Sequence, residues 1–150
     1  MKKSILLHGL LFLAVLASSA MAEGRQIGKV KALRGMVSII RDGKNIPAFP
    51  HKEVMLSDVI ITGSDGAVGI LLDDNTLLSM GPISRLTMDK FDFSPATNQY
   101  ALRLKMQQGT FVYLSGLLGK LAPHAVTLDT PVGTISMLKD SNFMAKFDEE

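Results

Sequence analysis

Apolar and polar residues alternate most regularly along residues 100–107. One face of this segment would carry Tyr100, Leu102, Leu104 and Met106, and the other Ala101, Arg103, Lys105 and Gln107. Successive side chains of a strand point to opposite faces, so a period of two indicates a β-strand. We therefore predict a strand that places its apolar set in a core and its polar set in water.

Other apolar segments are more continuous. They are residues 36–40, 59–61, 68–72 and 110–114. Continuous runs of this length are typical of strands that are covered on both faces. Residues 84–93 alternate through Leu86 and Met88 and then shift phase at Phe91, which predicts a β-bulge near Asp89 and Lys90.

Turn-forming residues separate these segments at short intervals. Gly, Pro, Asn and Asp recur in a way that leaves room for strands of about 5–8 residues, which is typical of all-β proteins. The one helical segment, residues 115–121, ends before Pro123 and is too short to be stable alone. We predict an all-β protein: a small sandwich or rolled β-solenoid-like domain of short strands, preceded by a helical signal peptide.

The first 22 residues have the order of features found in a secretory signal peptide. Lys2 and Lys3 precede an apolar stretch at residues 5–17, and Ala20-Met21-Ala22 fits the small-residue pattern of a cleavage site. The stretch is shorter than the roughly 20 apolar residues that a membrane-spanning helix needs. We expect cleavage after Ala22, a periplasmic or secreted location and no membrane span in the mature chain. An uncleaved N-terminal anchor is the alternative.

The charge balance of residues 23–150 narrows the classes of partner. The whole chain has 16 Lys and Arg and 14 Asp and Glu, and removal of Lys2 and Lys3 leaves 14 of each. A neutral surface with interspersed charges argues against nucleic acid as a partner, and no polybasic run favours anionic lipid. With 0 Cys, the exported chain has neither disulfides nor thiolate chemistry. Its length suits one domain.

Six short segments, taken in order, carry a family resemblance. They are residues 28–37 (G-x-V to R-G-x-V), 56–63 (LSDVIITG), 71–78 (LLDDNTLL), 82–91 (PISRLTMDKF), 109–111 (GTF) and 130–135 (TPVGTI). Together they resemble the FecR-like domain family of bacterial envelope proteins over most of the mature chain. The resemblance implies a domain, here residues 23–150, that senses or relays envelope signals, in that family as the extracytoplasmic part of a sigma-factor regulator.

The chain departs from the family pattern at three places. Ser57 and Asn75 stand where the family has Gly, and residues 136–142 replace its Arg-Gly-Thr turn with a segment one residue longer. Asn tolerates left-handed backbone, so Asn75 still suits a tight turn. We expect residues 136–142 to form a mobile, solvated loop, with Phe143 and Phe147 holding the strand beyond it.

We interpret the motif positions as structural. The turn positions are Gly63, Gly66, Asp73, Asp74, Asn75, Pro82, Gly109, Pro131 and Gly133. Gly63 and Gly66 are expected to supply left-handed backbone, and Pro82 and Pro131 to fix φ at strand entries. The core positions are Leu86, Met88, Tyr100, Leu102, Leu104, Met106, Phe111 and Phe143. The motif thus specifies a fold rather than a reaction.

Groups that could support catalysis or metal binding are sparse. Asp73 and Asp74 are adjacent carboxylates, but neighbours in a strand diverge, so we interpret them as turn residues. His51 and His124 have no acid or Cys at ligand spacing, and Ser64-Asp65 has no matching His. We expect no enzymatic activity, no metal and no cofactor.

Two functional hypotheses follow from the sequence. The first is a binding and signalling module that recognises an envelope protein, peptide or polysaccharide. The second is a structural subunit of a cell-envelope complex that adds an edge strand to a partner sheet. Neither hypothesis fixes the oligomeric state.

The aromatic residues Phe91, Phe93, Phe111 and Tyr113 line either a groove or the core, and their position in alternating strands favours the core.

Overall fold

The computed structural model describes residues 24–148. The strands of this part of the chain are β1 (Gln26–Arg34), β2 (Val37–Arg41), β3 (Lys44–Pro47), β4 (Glu53–Met55), β5 (Val59–Thr62), β6 (Ala67–Leu72), β7 (Leu77–Met80), β8 (Arg85–Ser94), β9 (Gln99–Leu114), β10 (Val126–Thr130), β11 (Gly133–Ser136) and β12 (Phe143–Phe147). A short helix, α1, spans Leu117–Leu121, and single 3-10 turns span Pro95–Thr97 and Pro123–Ala125. The all-β prediction is confirmed. The predicted signal peptide and its cleavage site lie outside the described residues.

The strands form one curled, mainly antiparallel sheet whose two halves share β9. One half, sheet A, has the order β12-β9-β7-β6-β1-β4. The other half, sheet B, has the order β3-β2-β5-β8-β9-β10-β11. Among the described strands, only β9 and β10 pair in parallel. The inward side chains of both sheets form a single core cluster.

β9 is longer than the sequence pattern predicts, because Gly109 bends the strand without ending it. Residues 99–108 pair with β8, and residues 109–113 pair with β12. Gly109 has a φ of 99°, and a Cβ at this position would clash with Ser84. Only Gly therefore lets the strand pass from sheet B into sheet A. The interpretation of Gly109 as a turn residue was wrong.

Burial follows the alternation seen in the sequence. Six of the core positions are fully buried in the cluster: Leu86, Met88, Leu102, Leu104, Met106 and Phe111. Tyr100 and Phe143 are partly exposed and pack against it. The β8–β9 register shifts between Met88 and Lys90, which confirms the predicted bulge.

The sequence predicts that the continuous apolar runs are strands covered on both faces. The structure shows that they are covered on one face only. In β6, buried Val68, Ile70 and Leu72 alternate with half-buried Gly69 and Leu71. The β5 strand and residues 110–114 alternate in the same way. Where the outward residues of a strand are also apolar, the sequence shows a continuous apolar run and the period of two cannot be recognised. The consequence is a sheet with apolar outward surface.

The turn positions of the motif differ in what they require of the backbone. Asn75 has a φ of 67° and closes the loop between β6 and β7, where its N–H donates to Leu72 O at 2.9 Å. Gly63 and Gly66 do not have positive φ, so the expectation of left-handed backbone was wrong for both. They permit close approach instead, since a Cβ on Gly66 would clash with Met36 O and one on Gly63 would lie 3.1 Å from Met36 Cβ.

The two prolines of the motif occupy different settings. Pro82 lies in the loop that precedes β8, near the strand entry that was predicted. Pro131 and Val132 instead form the turn of the β10–β11 hairpin, in which Thr130 faces Gly133. The expected strand-entry role was therefore wrong for Pro131, whose fixed φ suits the first central position of a turn.

Residues 136–142 are held more firmly than the prediction of a solvated loop implies. Ser136 belongs to β11, and buried Met137 donates its N–H to Val126 O at 3.2 Å. Asn142 Oδ1 accepts a hydrogen bond from Ser115 N–H at 3.2 Å. Residues 138–140 are exposed and Ser141 is half-buried, so the solvated connection is limited to the middle of the segment.

Candidate functional site

Asp73 and Asp74, the paired carboxylates of the sequence, lie in the loop between β6 and β7 and do not converge. Asp73 is exposed, whereas Asp74 is fully buried. Asp74 Oδ2 accepts hydrogen bonds from Thr76 Oγ1 at 2.7 Å and Leu118 N–H at 3.0 Å, and Oδ1 accepts one from Thr76 N–H at 3.0 Å. Among residues 24–148 no group of side chains is arranged to hold a metal ion. Because it accepts the Leu118 N–H, Asp74 ties the loop between β6 and β7 to α1.

The start of α1 is built around this carboxylate. Leu117 N–H donates to Asp74 O at 2.7 Å, and Gly116 N–H donates to Thr76 Oγ1 at 3.2 Å. A Cβ on Gly116 would clash with Asp74 O and Thr76 N. Sequence reasoning missed this contact because the two segments are far apart in the chain. The local signal was the Asp-x-Thr spacing, which is typical of an Asx turn.

Two hydroxyl groups lie near this loop. Tyr113 Oη and Ser115 Oγ are buried, and neither has a hydrogen-bond partner in good geometry among the described residues. Burial raises the pKa of Tyr113, and the neighbouring Ser115 and Thr76 hydroxyls oppose that rise. A buried, protonated phenol is inaccessible to a substrate, so this pair is part of the interior.

The isolated candidates from the sequence remain isolated. His51 lies exposed in the loop before β4, and His124 lies exposed in the 3-10 turn Pro123–Ala125. Asp65 Oδ1 accepts a hydrogen bond from Met36 N–H at 3.1 Å, which holds the loop between β5 and β6 against the chain between β1 and β2. These residues do not form a nucleophile–base pair.

A partly buried ion pair that the sequence did not indicate joins β2 to the turn before β5. Asp58 is buried, and Arg41 Nε and Nη2 donate to its two carboxylate oxygens at 2.8 and 2.7 Å. Met55 N–H also donates to Asp58 Oδ2 at 2.8 Å. The hydrogen bond to Asp58 raises the pKa of Arg41. This bidentate pair is satisfied within the protein and serves the fold.

The outer face of sheet B carries charges that neutralise one another. Arg103 Nε lies 2.7 Å from Asp129 Oδ2 and 3.7 Å from Asp89 Oδ2. Lys105 Nζ lies 2.9 Å from Asp89 Oδ1. The hydrogen bond from Arg103 holds the pKa of Asp129 below its ordinary value. The middle of this face is therefore a solvated network with its own partners.

The outer face of sheet A is different, because its three central strands contain no charged residue. The sequences of β6, β7 and residues 109–114 of β9 are AVGILL, LLSM and GTFVYL. Their register forms two transverse rows, Leu71 beside Leu77 beside Leu114, and Gly69 beside Ser79 beside Val112. Leu114 is exposed and the other five residues are half-buried. We name these six residues the uncharged face.

A depression of about 430 Å³ opens where β1, β6 and β7 meet at the edge of the uncharged face. Small residues create it, among them Ala32, Gly69 and Ser79, and Arg34 lies at its border. A Cβ on Gly69 would meet only Ala32 O at 3.9 Å, and Gly69 does not have positive φ. Packing therefore does not require Gly here. Gly inside a strand lowers stability and is frequent where another molecule approaches closely.

Within residues 24–148, no helix has the length and apolar character needed to cross a membrane. No protein-family model matches the chain, and no curated protein matches it. A solved structure described as a cell surface anchoring domain aligns with 41% of this chain and 83% of its own length, at 25% sequence identity. The TM-score of this alignment is 0.40.

Proposed function

We propose that this chain is a non-enzymatic binding module whose partner contacts the uncharged face of sheet A. The observation that carries the proposal is the contrast between the two outer faces. Sheet B pairs its central charges with one another, whereas three adjacent strands of sheet A have none. A row such as Leu71, Leu77 and Leu114 leaves apolar surface in water, and a partner that covers it gains free energy.

The charges around the uncharged face indicate the chemistry of the partner. Lys31 and Arg34 on β1 are exposed, and neither forms an ion pair with another described residue. Lys29 is also exposed and forms no ion pair with another described residue, but the register places it opposite Glu53 of β4. An apolar partner surface with an acidic group facing Arg34 would complement this arrangement.

Within the hypotheses raised by the sequence, this surface favours an envelope protein or peptide over a polysaccharide. The outward side chains of the uncharged face are aliphatic or small, and Ser79 is the one hydroxyl among the six. Sugar hydroxyls that lose water need hydrogen-bond partners, which this face does not supply. The proposed setting outside the cytoplasm rests on the N-terminal signal and the FecR-like resemblance.

Capture of partners from a periplasmic extract tests the proposal. Val112→Lys places a charge in the uncharged face, whereas Gln107→Lys places the same charge on the sheet B half of β9. We expect the wild type and Gln107→Lys to capture the same proteins in similar amounts. Val112→Lys should capture about tenfold less of them, since burying an unpaired charge is unfavourable. Equal capture by all three proteins, each shown to be folded by thermal unfolding, would contradict the proposal.

A further inference from the structure

The edge strands of the curled sheet differ in their protection against strand addition. β3 and β4 are short and carry Lys44, Pro47 and Glu53, which are residues that discourage pairing at an edge. β11 has no charged residue and no Pro, and β12 has a single charge, Lys146. β12 is the longest of these four edge strands, with 5 residues against 3 or 4, and Lys146 is its one protecting residue.

The three most exposed large apolar residues of the described part of the chain lie in or near β11 and β12. Val132, Leu138 and Met144 are 87%, 86% and 75% exposed, more than any other large apolar residue described. A depression of about 370 Å³ lies between the β10–β11 hairpin and β12, and Phe143 and Phe147 line it. Both rings are only partly buried against the core. This side of the sheet is thus left open, with apolar groups on either side of the gap.

We propose that the free edge of β12 pairs antiparallel with β12 of a second copy of this chain, about a two-fold axis at Ala145. In this register Phe143 of one copy lies opposite Phe147 of the other, and Met144 lies opposite Lys146. Each contact occurs twice because a two-fold interface is self-complementary. Cross-strand aromatic pairs stabilise a sheet, and the aliphatic stem of Lys146 packs on Met144.

The sequence of β12 favours a second copy over an unrelated strand. Antiparallel self-pairing opposes like charges when a charged residue lies on the axis, but here the uncharged Ala145 lies there. Lys146, the one charged residue of the strand, faces Met144 and meets no second cation. The pairing would join two sheets A into one and place both uncharged faces on the same side. It goes beyond the proposed binding face and does not depend on it.

Sedimentation equilibrium tests the pairing. The sample is the protein expressed from its full sequence and purified after any processing by the cell. We expect a concentration-dependent dimer. Met144→Lys would place a second cation opposite Lys146 at both symmetry-related contacts and weaken association at least tenfold. The double variant Met144→Lys with Lys146→Glu would restore opposite charges and bring association back to within about threefold of the wild type at low salt. Asn45→Lys on β3 is the matched control and should have no effect.

Several outcomes would overturn the inference. They are a wild type that stays monomeric at all concentrations, a dimer insensitive to Met144→Lys, and equal weakening by Asn45→Lys. Weakening by Met144→Lys that the double variant does not reverse would refute the two-fold register. Met144 is largely exposed, so thermal unfolding should show the variants to be folded. Loss of partner capture by Val112→Lys without loss of the dimer would separate this interface from the binding face.

Discussion

Gly69 and Gly116 have opposite steric surroundings, and the difference shows what each glycine does. Around Gly69 there is room for a methyl group, since the nearest contact of an added Cβ would be Ala32 O at 3.9 Å. Around Gly116 there is none, because backbone atoms of Asp74 and Thr76 occupy the space. The fold therefore requires Gly116, whereas Gly69 costs stability and leaves the depression open.

These surroundings predict opposite changes in stability. Gly69→Ala should stabilise the protein by about 0.5–1 kcal/mol, because Ala restricts the unfolded chain and fits the native strand. Gly116→Ala should destabilise it by about 2 kcal/mol or more, because the loop that Asp74 ties to α1 must shift. Urea unfolding measures both free energies. Changes of the same sign would contradict this account, and a gain in stability with weaker partner capture for Gly69→Ala would support the role of the depression.

Individual residues also show what local sequence can predict. The left-handed backbone of Asn75 could be predicted, because Asn is the residue after Gly that best tolerates it. Ser57 has a φ of 70°, and nothing in its side chain indicates this. The contacts of Asp74 with Leu118 and of Asp58 with Arg41 could not be predicted, because the partners are distant in sequence and are brought close only by the completed fold.

At the scale of elements, β9 joins the two halves of the molecule, and charged pairs connect it to its neighbours in sheet B. Its residues Arg103 and Lys105 contact Asp129 of β10 and Asp89 of β8. In the parallel pairing of β9 with β10, Arg103 lies opposite Thr127. Asp129 lies two residues further along β10, so its carboxylate is within reach of Arg103. The ion pair therefore supports the attachment of β10.

The lowered pKa of Asp129 predicts a pH-dependent contribution of this pair. The unfolded chain binds its proton at the ordinary Asp pKa of about 3.9, above the folded value, so the contribution is present above that pH and is lost as pH falls through the lowered pKa. Asp129→Asn should therefore be less stable than the wild type at pH 7, with the difference shrinking below about pH 4. Thermal unfolding between pH 7 and 2.5 measures it, and a difference that stays constant would contradict the assignment.

The elements of the fold could be predicted where the signals are local. Alternation located the sheet B half of β9, and the phase shift after Met88 located the bulge in β8. The prediction of a turn at Gly109 was wrong, because a glycine in the sequence is equally compatible with a turn and with a bend inside a strand. The absence of charge in β6, β7 and residues 109–114 is visible in the sequence, but it indicates a surface only once pairing places these strands side by side.

At the scale of the whole molecule, we propose an exported protein with two separate interaction surfaces, the uncharged face and the β12 edge. The predicted signal peptide implies that protein recovered from the periplasm begins at Glu23, since Ala20-Met21-Ala22 precedes it. Intact mass spectrometry of that fraction measures the N-terminus. A product that begins at Met1 and stays with the membrane fraction would contradict both cleavage and the proposed freely exported module.

Site-specific photo-crosslinking in living cells tests the central claim most directly. A photoreactive amino acid at Ser79 lies within the uncharged face, and the same group at Thr87 lies on the outer face of sheet B as the matched control. The account predicts a discrete adduct from Ser79, distinct in mass from two copies of the chain, and no such adduct from Thr87. Adducts of equal yield from both positions, adducts from Thr87 alone, or none from either would contradict the claim that the uncharged face binds the partner.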